Sequence, residues 1–418
     1  MIIRRDTYLN RLISSRGNKL IKIVTGIRRC GKSFLLSVLF RDFLKSEGVA
    51  DDHIIEIALD DRKNHDLLNP DALLDHINAR INDRSMYYIL LDEVQMVEDF
   101  VGVLNSLLHV PNVDVYVTGS NSRFLSIDIV TEFRGRGFEI KMYPLTFAEY
   151  YSARGGDKSD CWRDYYTFGG LPQVTTINDF AQKTSYLEHL ANTVFVSDVV
   201  ERNGVRKRHE LEELLRILSS SIGAPCNPSK ISNTFRSVKN EAVSVRTINN
   251  YITYLCDAFL VSKAMRYDIK GKRYINSLSK YYFSDMGLRN ALLGFRQIEE
   301  SHIMENVIYN ELISRGFKVD VGNIDAIIRD RNGDVRRAQY EVDFVANQGS
   351  VRYYIQSALA IPGEEKMKQE SSSFRRISDS FKKVIVVGSN IMPYHNDEGF
   401  FIIGIFDFLL NPKSLEMV

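Results

Sequence analysis

Between Gly26 and Ser33 the chain reads G-I-R-R-C-G-K-S, two glycines enclosing a short turn that ends in a lysine and a hydroxyl. Such a set can hold a polyphosphate. Glycines at both ends let successive backbone N–H groups turn inward, at the positive N-terminal end of a following helix, so that anionic oxygens meet donors. In this reading the backbone of Gly26, Ile27, Arg28, Arg29, Cys30, Gly31, Lys32, Ser33 and Phe34 lines the phosphates. Lys32 reaches the β- and γ-phosphates and the Ser33 hydroxyl takes a place on Mg²⁺. ATP and Mg²⁺ are the expected ligands. A chance glycine turn would account for the loop alone, so its context decides. Ile21-Lys22-Ile23-Val24-Thr25 precedes it with the pattern of a strand, and an apolar run through Phe40 follows with that of a helix.

A second chemical pair, Asp92-Glu93, closes the run Tyr87-Tyr88-Ile89-Leu90-Leu91. An apolar run ending in two acids describes a buried parallel strand whose carboxylates emerge at its C-terminal edge. Asp92 is expected to hold Mg²⁺ through water, and Glu93 to orient and deprotonate an attacking water. The plainer alternative is an N-cap for the next helix.

These groups need a sheet to carry them. Residues 3–15 read as a short amphipathic helix, expected near the nucleotide base. Leu20–Thr25 is the first strand, and a helix follows the loop to about Lys45. His53–Leu59 alternates like a strand, Pro70–Ile81 is helical, Tyr87–Glu93 is the strand above, a helix covers Glu98–His109, and Val113–Thr118 is a further strand. That strand ends in Gly119-Ser120-Asn121-Ser122. After it come Phe133-Arg134-Gly135-Arg136-Gly137 and a strand over Phe138–Met142.

Length and charge fit a protein of several domains. The chain has 418 residues, and 54 Lys+Arg against 53 Asp+Glu leave a net charge of +1, which excludes a globally basic nucleic-acid binder but not a local patch. The four cysteines, Cys30, Cys161, Cys226 and Cys256, form no C-x-x-C pair, so neither a zinc site nor a disulfide framework is indicated. The N-terminus lacks the apolar core of a signal peptide, and no apolar run approaches the ~18 residues of a membrane span. A cytoplasmic protein without membrane contact is expected.

The G-I-R-R-C-G-K-S loop, the L-L-D-E strand end, T-G-S-N-S, the G-R-G turn, P-L-T-F-A-E-Y at 144–150 and F-G-G-L-P at 168–172 together resemble a family of prokaryotic ATPases. In it an AAA+ module is fused to a C-terminal domain of unknown function with a nuclease-like fold. The resemblance implies an α/β fold with a P-loop sheet of order 5-1-4-3-2, in a three-layer domain over 1–146, and a helical lid over 147–204. It also implies a polar residue after the fourth strand that watches the γ-phosphate; Ser120 and Asn121 both qualify. Arg134 or Arg136 would stabilise charge on that phosphate, in their own subunit or in a neighbour within a homo-oligomer, unless they form a solvated turn. In the lid, Trp162, Tyr165, Tyr166 and Phe168 have the spacing of core aromatics rather than of a base-stacking cluster.

Residues 205–297 change character. Helices over Leu211–Ile222, Pro228–Val238 and from Ser244, then strand-like pieces at Ala264–Ile269 and Lys280–Ser284 around Gly271-Lys272-Arg273, spell a winged helix. Its third helix carries Arg246, Thr247, Asn249 and Asn250, and its wing Lys270, Lys272 and Arg273, groups able to meet DNA phosphates. Such domains in ATPases also act as internal switches or as docking surfaces for a protein partner. The last domain, 298–418, resembles the PD-(D/E)XK nuclease core, in which a helix glutamate, a strand aspartate and an E-x-K meet around Mg²⁺. Glu305 and Asp343 match; Gln356 stands for the acid and Ala358 for the lysine. A position without a cation points to a nuclease-derived domain that binds or regulates, unless a lysine such as Lys366 reaches back.

The expected protein is an ATP-binding and hydrolysing AAA+ molecular switch whose winged-helix and nuclease-like domains engage DNA or a protein partner. The alternatives are an ATP-dependent nucleic-acid-processing enzyme with an active nuclease, and a nucleotide-binding docking module with little turnover.

Overall fold

The computed structural model describes residues 2–119, 135–239, 241–274, 278–329 and 335–417. It forms two compact units, one of Met1–Pro144 with Asp257–Phe259, the other of Leu145–Cys256 with Leu260–Val418.

The first unit is built on a five-stranded sheet. Its strands are β1 (Ile21–Thr25), β2 (Ile54–Ala58), β3 (Tyr87–Asp92), β4 (Val113–Gly119) and β5 (Gly137–Lys141), in the order β2-β3-β4-β1-β5. Every pairing is parallel. This is the implied order, read from the other edge. β1 and β2 are consecutive in sequence yet separated in the sheet by β3 and β4, and such a reordering opens a crevice at the C-terminal strand ends, where the glycine loop and Asp92 both lie. Ile21, Ile23, Ile57, Ile89, Leu91, Val115 and Val117 bury one face of the sheet against helices Pro70–Asn78 and Phe100–Leu108.

Two strand residues break the apolar pattern. Lys22 on β1 and Asp114 on β4 form a buried ion pair, and Asp114 also accepts from the Tyr116 hydroxyl at 2.8 Å and from the Gly17 N–H at 2.9 Å. Burial pushes the Lys22 ammonium below the ordinary lysine range, against the pull of Asp114.

The second unit begins with helices Phe147–Arg154, Lys158–Phe168, Phe180–His189 and Val196–Asn203, the stretch expected as a lid. Its aromatics pack as core: Trp162 and Tyr165 meet the Phe147 ring edge-on at 5.4 and 5.5 Å, and the Tyr165 hydroxyl donates to the Leu145 carbonyl at 2.9 Å. The F-G-G-L-P turn is pinned by Asp285, which caps helix Met286–Leu292 and accepts the Gly170 N–H at 2.7 Å. Gly169 has a φ of 78°, and a Cβ there would lie 2.1 Å from an Asp285 oxygen, so no other residue fits.

Three helices follow as expected, Arg208–Ser220, Pro228–Lys239 and Val245–Asp257, but the ribbon after them differs. β6 (Val261–Ala264) pairs antiparallel with β9 (Lys280–Phe283), whereas β7 (Arg266–Asp268) turns back through β8 (Arg273–Tyr274) and joins another sheet. Alternation marks a short strand but not its partner, so one expected ribbon is two.

That other sheet has eight strands. With β10 (Lys318–Arg329), β11 (Val335–Gln348), β12 (Val351–Ala358), β13 (Lys382–Val387), β14 (Tyr394–His395) and β15 (Phe401–Gly404), its order is β14-β15-β13-β12-β11-β10-β7-β8. Ile324, Val342, Val345, Tyr354, Ile385 and Ile402 form the core on one face. β10 and β11 are its longest strands, at 12 and 14 residues. No described helix is long and apolar enough to cross a membrane.

Removing one member of a buried pair strands the other charge, a loss of about 3–5 kcal/mol. Asp114→Ala should therefore lower the unfolding free energy by about that amount in a urea titration of the full chain, and a change within about 0.5 kcal/mol would show that the pair carries no such weight.

Candidate functional site

The glycine loop leaves β1 at Thr25 and enters a helix at Lys32, which continues as a π-helical stretch, Leu35–Phe40, and then Arg41–Ser46. Gly26 has a φ of 145°, and a Cβ on it would sit 2.1 Å from the Met142 carbonyl oxygen, so the loop passes flush against the segment after β5. Arg29 and Gly31 are also left-handed, at φ 64° and 99°. Cys30 is buried, its thiol 3.8 Å from the Met142 carbonyl. From the N-terminal segment, the buried Arg5 guanidinium donates to the Cys30 carbonyl at 3.1 Å and to the Tyr143 carbonyl at 2.6 Å. The segment expected near a base thus braces the loop from behind.

Lys32 is 4% exposed. Its ammonium donates to the loop's own carbonyls, Gly26 at 3.0 Å and Ile27 at 3.2 Å, and among the described residues it meets no carboxylate. A cation with only neutral acceptors keeps its charge available to an anion.

Asp92 ends β3 beside the start of that helix. Its carboxylate accepts the Thr118 hydroxyl from β4, and the Ser33 hydroxyl of the loop is close enough to favour its charged form. Burial pushes the Asp92 carboxyl above the ordinary range, while these two hydroxyls pull it down. A strand-end carboxylate with a loop hydroxyl beside it forms an oxygen pair that suits Mg²⁺, a hard cation that prefers few protein ligands. Thr118 also accepts the Glu93 N–H at 2.9 Å, so one hydroxyl aligns both acids. Glu93 itself is left-handed, φ 53°, and its carboxylate accepts from the Gln95 amide. A non-glycine residue in that region marks a constrained turn, and here the turn carries a candidate base.

Loop, Asp92 and Glu93 therefore come together at one sheet edge. Arg136 does not join them. It precedes β5, its carbonyl accepts the Ile21 N–H at 2.8 Å, and its guanidinium lies 3.4 Å from the Asn105 side-chain oxygen. Gly137 pairs with Ile21 and Lys141 with Thr25, which puts Arg136 at the opposite end of β1 from the loop, roughly 13 Å of strand away. An action on the γ-phosphate held in its own subunit is corrected by that register. Ser120, Asn121 and Arg134 lie outside the described residues. Thr118, Gln95 and Arg5 escaped the sequence reading; only Thr118 had a signal, as a hydroxyl near the end of the strand that lies beside β3.

The second unit collects its own polar cluster. Glu305, on helix Glu300–Ser314, accepts the Lys280 ammonium at 3.1 Å and the Tyr282 hydroxyl at 2.7 Å on one oxygen. Lys280, 3% exposed, also pairs with Glu341 at 2.8 Å. Asp343 takes the Ser357 N–H at 2.8 Å; burial and the neighbouring Glu305 push its carboxyl well above the ordinary range, with Lys280 opposing. Burial works against the Lys280 ammonium, yet Glu305, Asp343 and Glu341 together hold it above the ordinary lysine range. Among the described residues Gln356 Oε1 is buried without a hydrogen-bond partner. Lys366, the lysine considered for this place, pairs instead with Glu370 on its own helix at 2.7 Å. The cation at this cluster is Lys280, from a strand that sequence reasoning assigned to the wing.

Comparison with known proteins gives the same first unit. A family model described as an AAA domain matches residues 18–151, and another, described as a domain of unknown function (DUF8612), matches 159–299. An uncharacterised protein of Haemophilus influenzae is 32% identical over 415 residues, covering 98% of this chain and 99% of that one. The chain belongs to that protein's family, built on an AAA-type P-loop ATPase domain. An uncharacterised protein of Methanocaldococcus jannaschii is 29% identical over 418 residues, covering 96% of this chain and 86% of that one. Among solved structures, the Walker-type ATPase of Pyrococcus abyssi is similar with 15% identity and a TM-score of 0.48, covering 70% of this chain and 96% of that one. The Aeropyrum pernix ORC1 protein, solved in complex with DNA, is similar with 13% identity and a TM-score of 0.32, covering 70% of this chain and 92% of that one.

In this AAA-type domain the Lys32 ammonium donates, among the described residues, to the loop carbonyls of Gly26 and Ile27. Lys32→Ala should abolish ATP binding by isothermal calorimetry while leaving the fold's melting temperature near that of the wild type; unaltered affinity would remove the loop from the phosphate site.

Proposed function

We propose that the chain is an ATP-binding and hydrolysing switch whose C-terminal segments engage DNA or a protein partner according to the nucleotide state. The observation that carries it is the Asp92–Thr118–Glu93 chain of hydrogen bonds, with the Ser33 hydroxyl of the phosphate loop acting on Asp92. Backbone donors of Gly26 to Phe34 would receive the phosphates, and Lys32 would exchange two carbonyls for the β- and γ-phosphate oxygens. Ser33 and Asp92 would hold Mg²⁺, which when bound supplies charge neutralisation at those oxygens. Glu93 would take the proton of the attacking water at its carboxylate, whose present acceptance of the Gln95 amide orients it.

Arg136, displaced from its own loop, is suited to the phosphates of a neighbouring subunit in a homo-oligomer. Ser120, Asn121 and Arg134 keep their expected roles in this reading, the first two as the polar group watching the γ-phosphate. Residues 147–204 act as a lid, 205–297 as a winged helix, and 298–418 as a nuclease-derived domain that binds rather than cleaves. The last assignment rests on Lys280 and Tyr282, which both donate to the Glu305 oxygen that a metal would use, and on the burial of Glu305 and Asp343.

Glu93→Gln keeps shape and removes the base. It should retain ATP affinity and lower steady-state phosphate release by roughly 10²-fold or more. Turnover at the wild-type rate would exclude Glu93 as the base, and full affinity with no turnover in the wild type would make the chain a docking module. Mg²⁺-dependent cleavage of duplex DNA that Asp343→Ala abolishes would instead establish an active nuclease.

A further inference from the structure

β10 and β11 pair as one hairpin from Lys318–Asn347 to Arg329–Val335, but other strands cover only its base. β7 meets β10 at Val321–Asn323, and β12 meets β11 at 344–348. Beyond Ile324 and Tyr340 the hairpin continues, among the described residues, as a two-stranded ribbon roughly 17 Å long. A second hairpin stands at its foot. β7 turns into β8 through Lys270, Gly271 and Lys272, with the Ile269 N–H bonded to the Asn323 carbonyl at 3.0 Å.

Charge is concentrated here. Between 263 and 274 the chain carries Lys263, Arg266, Lys270, Lys272 and Arg273 against Asp268 alone, in a protein whose net charge is +1. Lys270, Lys272 and Arg273 are exposed, the Arg273 side chain to 80%. Arg336 and Arg337 are exposed on the ribbon. As neighbours on a strand they take opposite faces, and Arg337 pairs across from Ile327, itself 74% exposed. Among the described residues of the ribbon Asp325 is the exposed acid, and the sequence between the two strands adds Arg331 against Asp330 and Asp334. Tyr274, 57% exposed, adds an aromatic face to the second hairpin.

We propose that the ribbon and the adjoining turn bind the phosphate backbone of duplex nucleic acid, the ribbon entering the major groove. This rests on the reading above that the C-terminal segments engage DNA, and it names the surface. A two-stranded ribbon fits a groove about 12 Å wide, and such a groove has phosphates on both walls. Cations on both faces of the ribbon, with a third cationic group at its foot, match that arrangement. An acidic protein surface would call for cations on one face only.

The test is fluorescence anisotropy of a short labelled mixed-sequence duplex with the full-length protein over a salt series. Five phosphate contacts predict a log–log salt slope of roughly −4.5. Arg336→Ala with Arg337→Ala should weaken binding about tenfold or more and reduce the slope by about 2, with ATP turnover and melting temperature unchanged. Lys270→Ala with Lys272→Ala should act in the same direction. Salt-sensitive binding that both pairs leave intact, but that Arg246→Ala with Asn250→Ala removes, would overturn the ribbon assignment and keep DNA engagement through the third helix. A wild-type protein that turns over ATP and binds no duplex would overturn the assignment and leave the ATPase standing.

Discussion

The candidate site depends on one buried cation held by neutral oxygens. Lys32 is pulled down onto the Gly26 and Ile27 carbonyls, and this closes the loop on itself. Everything around it keeps that geometry. Gly26 fits only because it lacks a Cβ against Met142, Arg5 ties the Cys30 carbonyl to the segment after β5, and the parallel pairing of β1 with β4 and β5 sets where the loop begins. Carbonyls are weaker partners for an ammonium than phosphate oxygens.

The same logic of shared polar groups runs through the rest of the chain. Thr118 serves two acids with one hydroxyl, Asp114 serves Lys22, Tyr116 and Gly17, and Asp285 serves a helix start and the F-G-G-L-P turn. Each lies where a strand or helix end would otherwise leave donors unpaired in a buried place, which costs about 1–3 kcal/mol per group. Lys280 does this for two carboxylates in the second unit, Glu305 and Glu341.

Much of this was legible in the sequence where the chemistry is local. Gly26 to Ser33 and Asp92-Glu93 declare themselves by spacing, because a phosphate loop and a strand-end acid pair need only their own neighbours. The five-strand order came with the family resemblance, and the structure has it. Groups that act across the fold were not legible: Arg5, Gln95 and Thr118 look ordinary in sequence, and Lys280 read as part of a wing until its strand paired with β6 beside the Glu305 helix. Short strands carried the same ambiguity, since β7 alternates equally well for either sheet. Arg136 was placed near the phosphate by its motif, and only the register of β5 against β1 shows that it stands at the far end.

The most direct measurement is a crystal structure of the full chain with Mg²⁺ and a non-hydrolysable ATP analogue. The account predicts the triphosphate along the backbone of Gly26 to Phe34, with Lys32 Nζ moved from the two carbonyls onto β- and γ-phosphate oxygens and the metal between Ser33 and Asp92. Nucleotide bound elsewhere, or bound at the loop with Lys32 still on the Gly26 and Ile27 carbonyls, would contradict it.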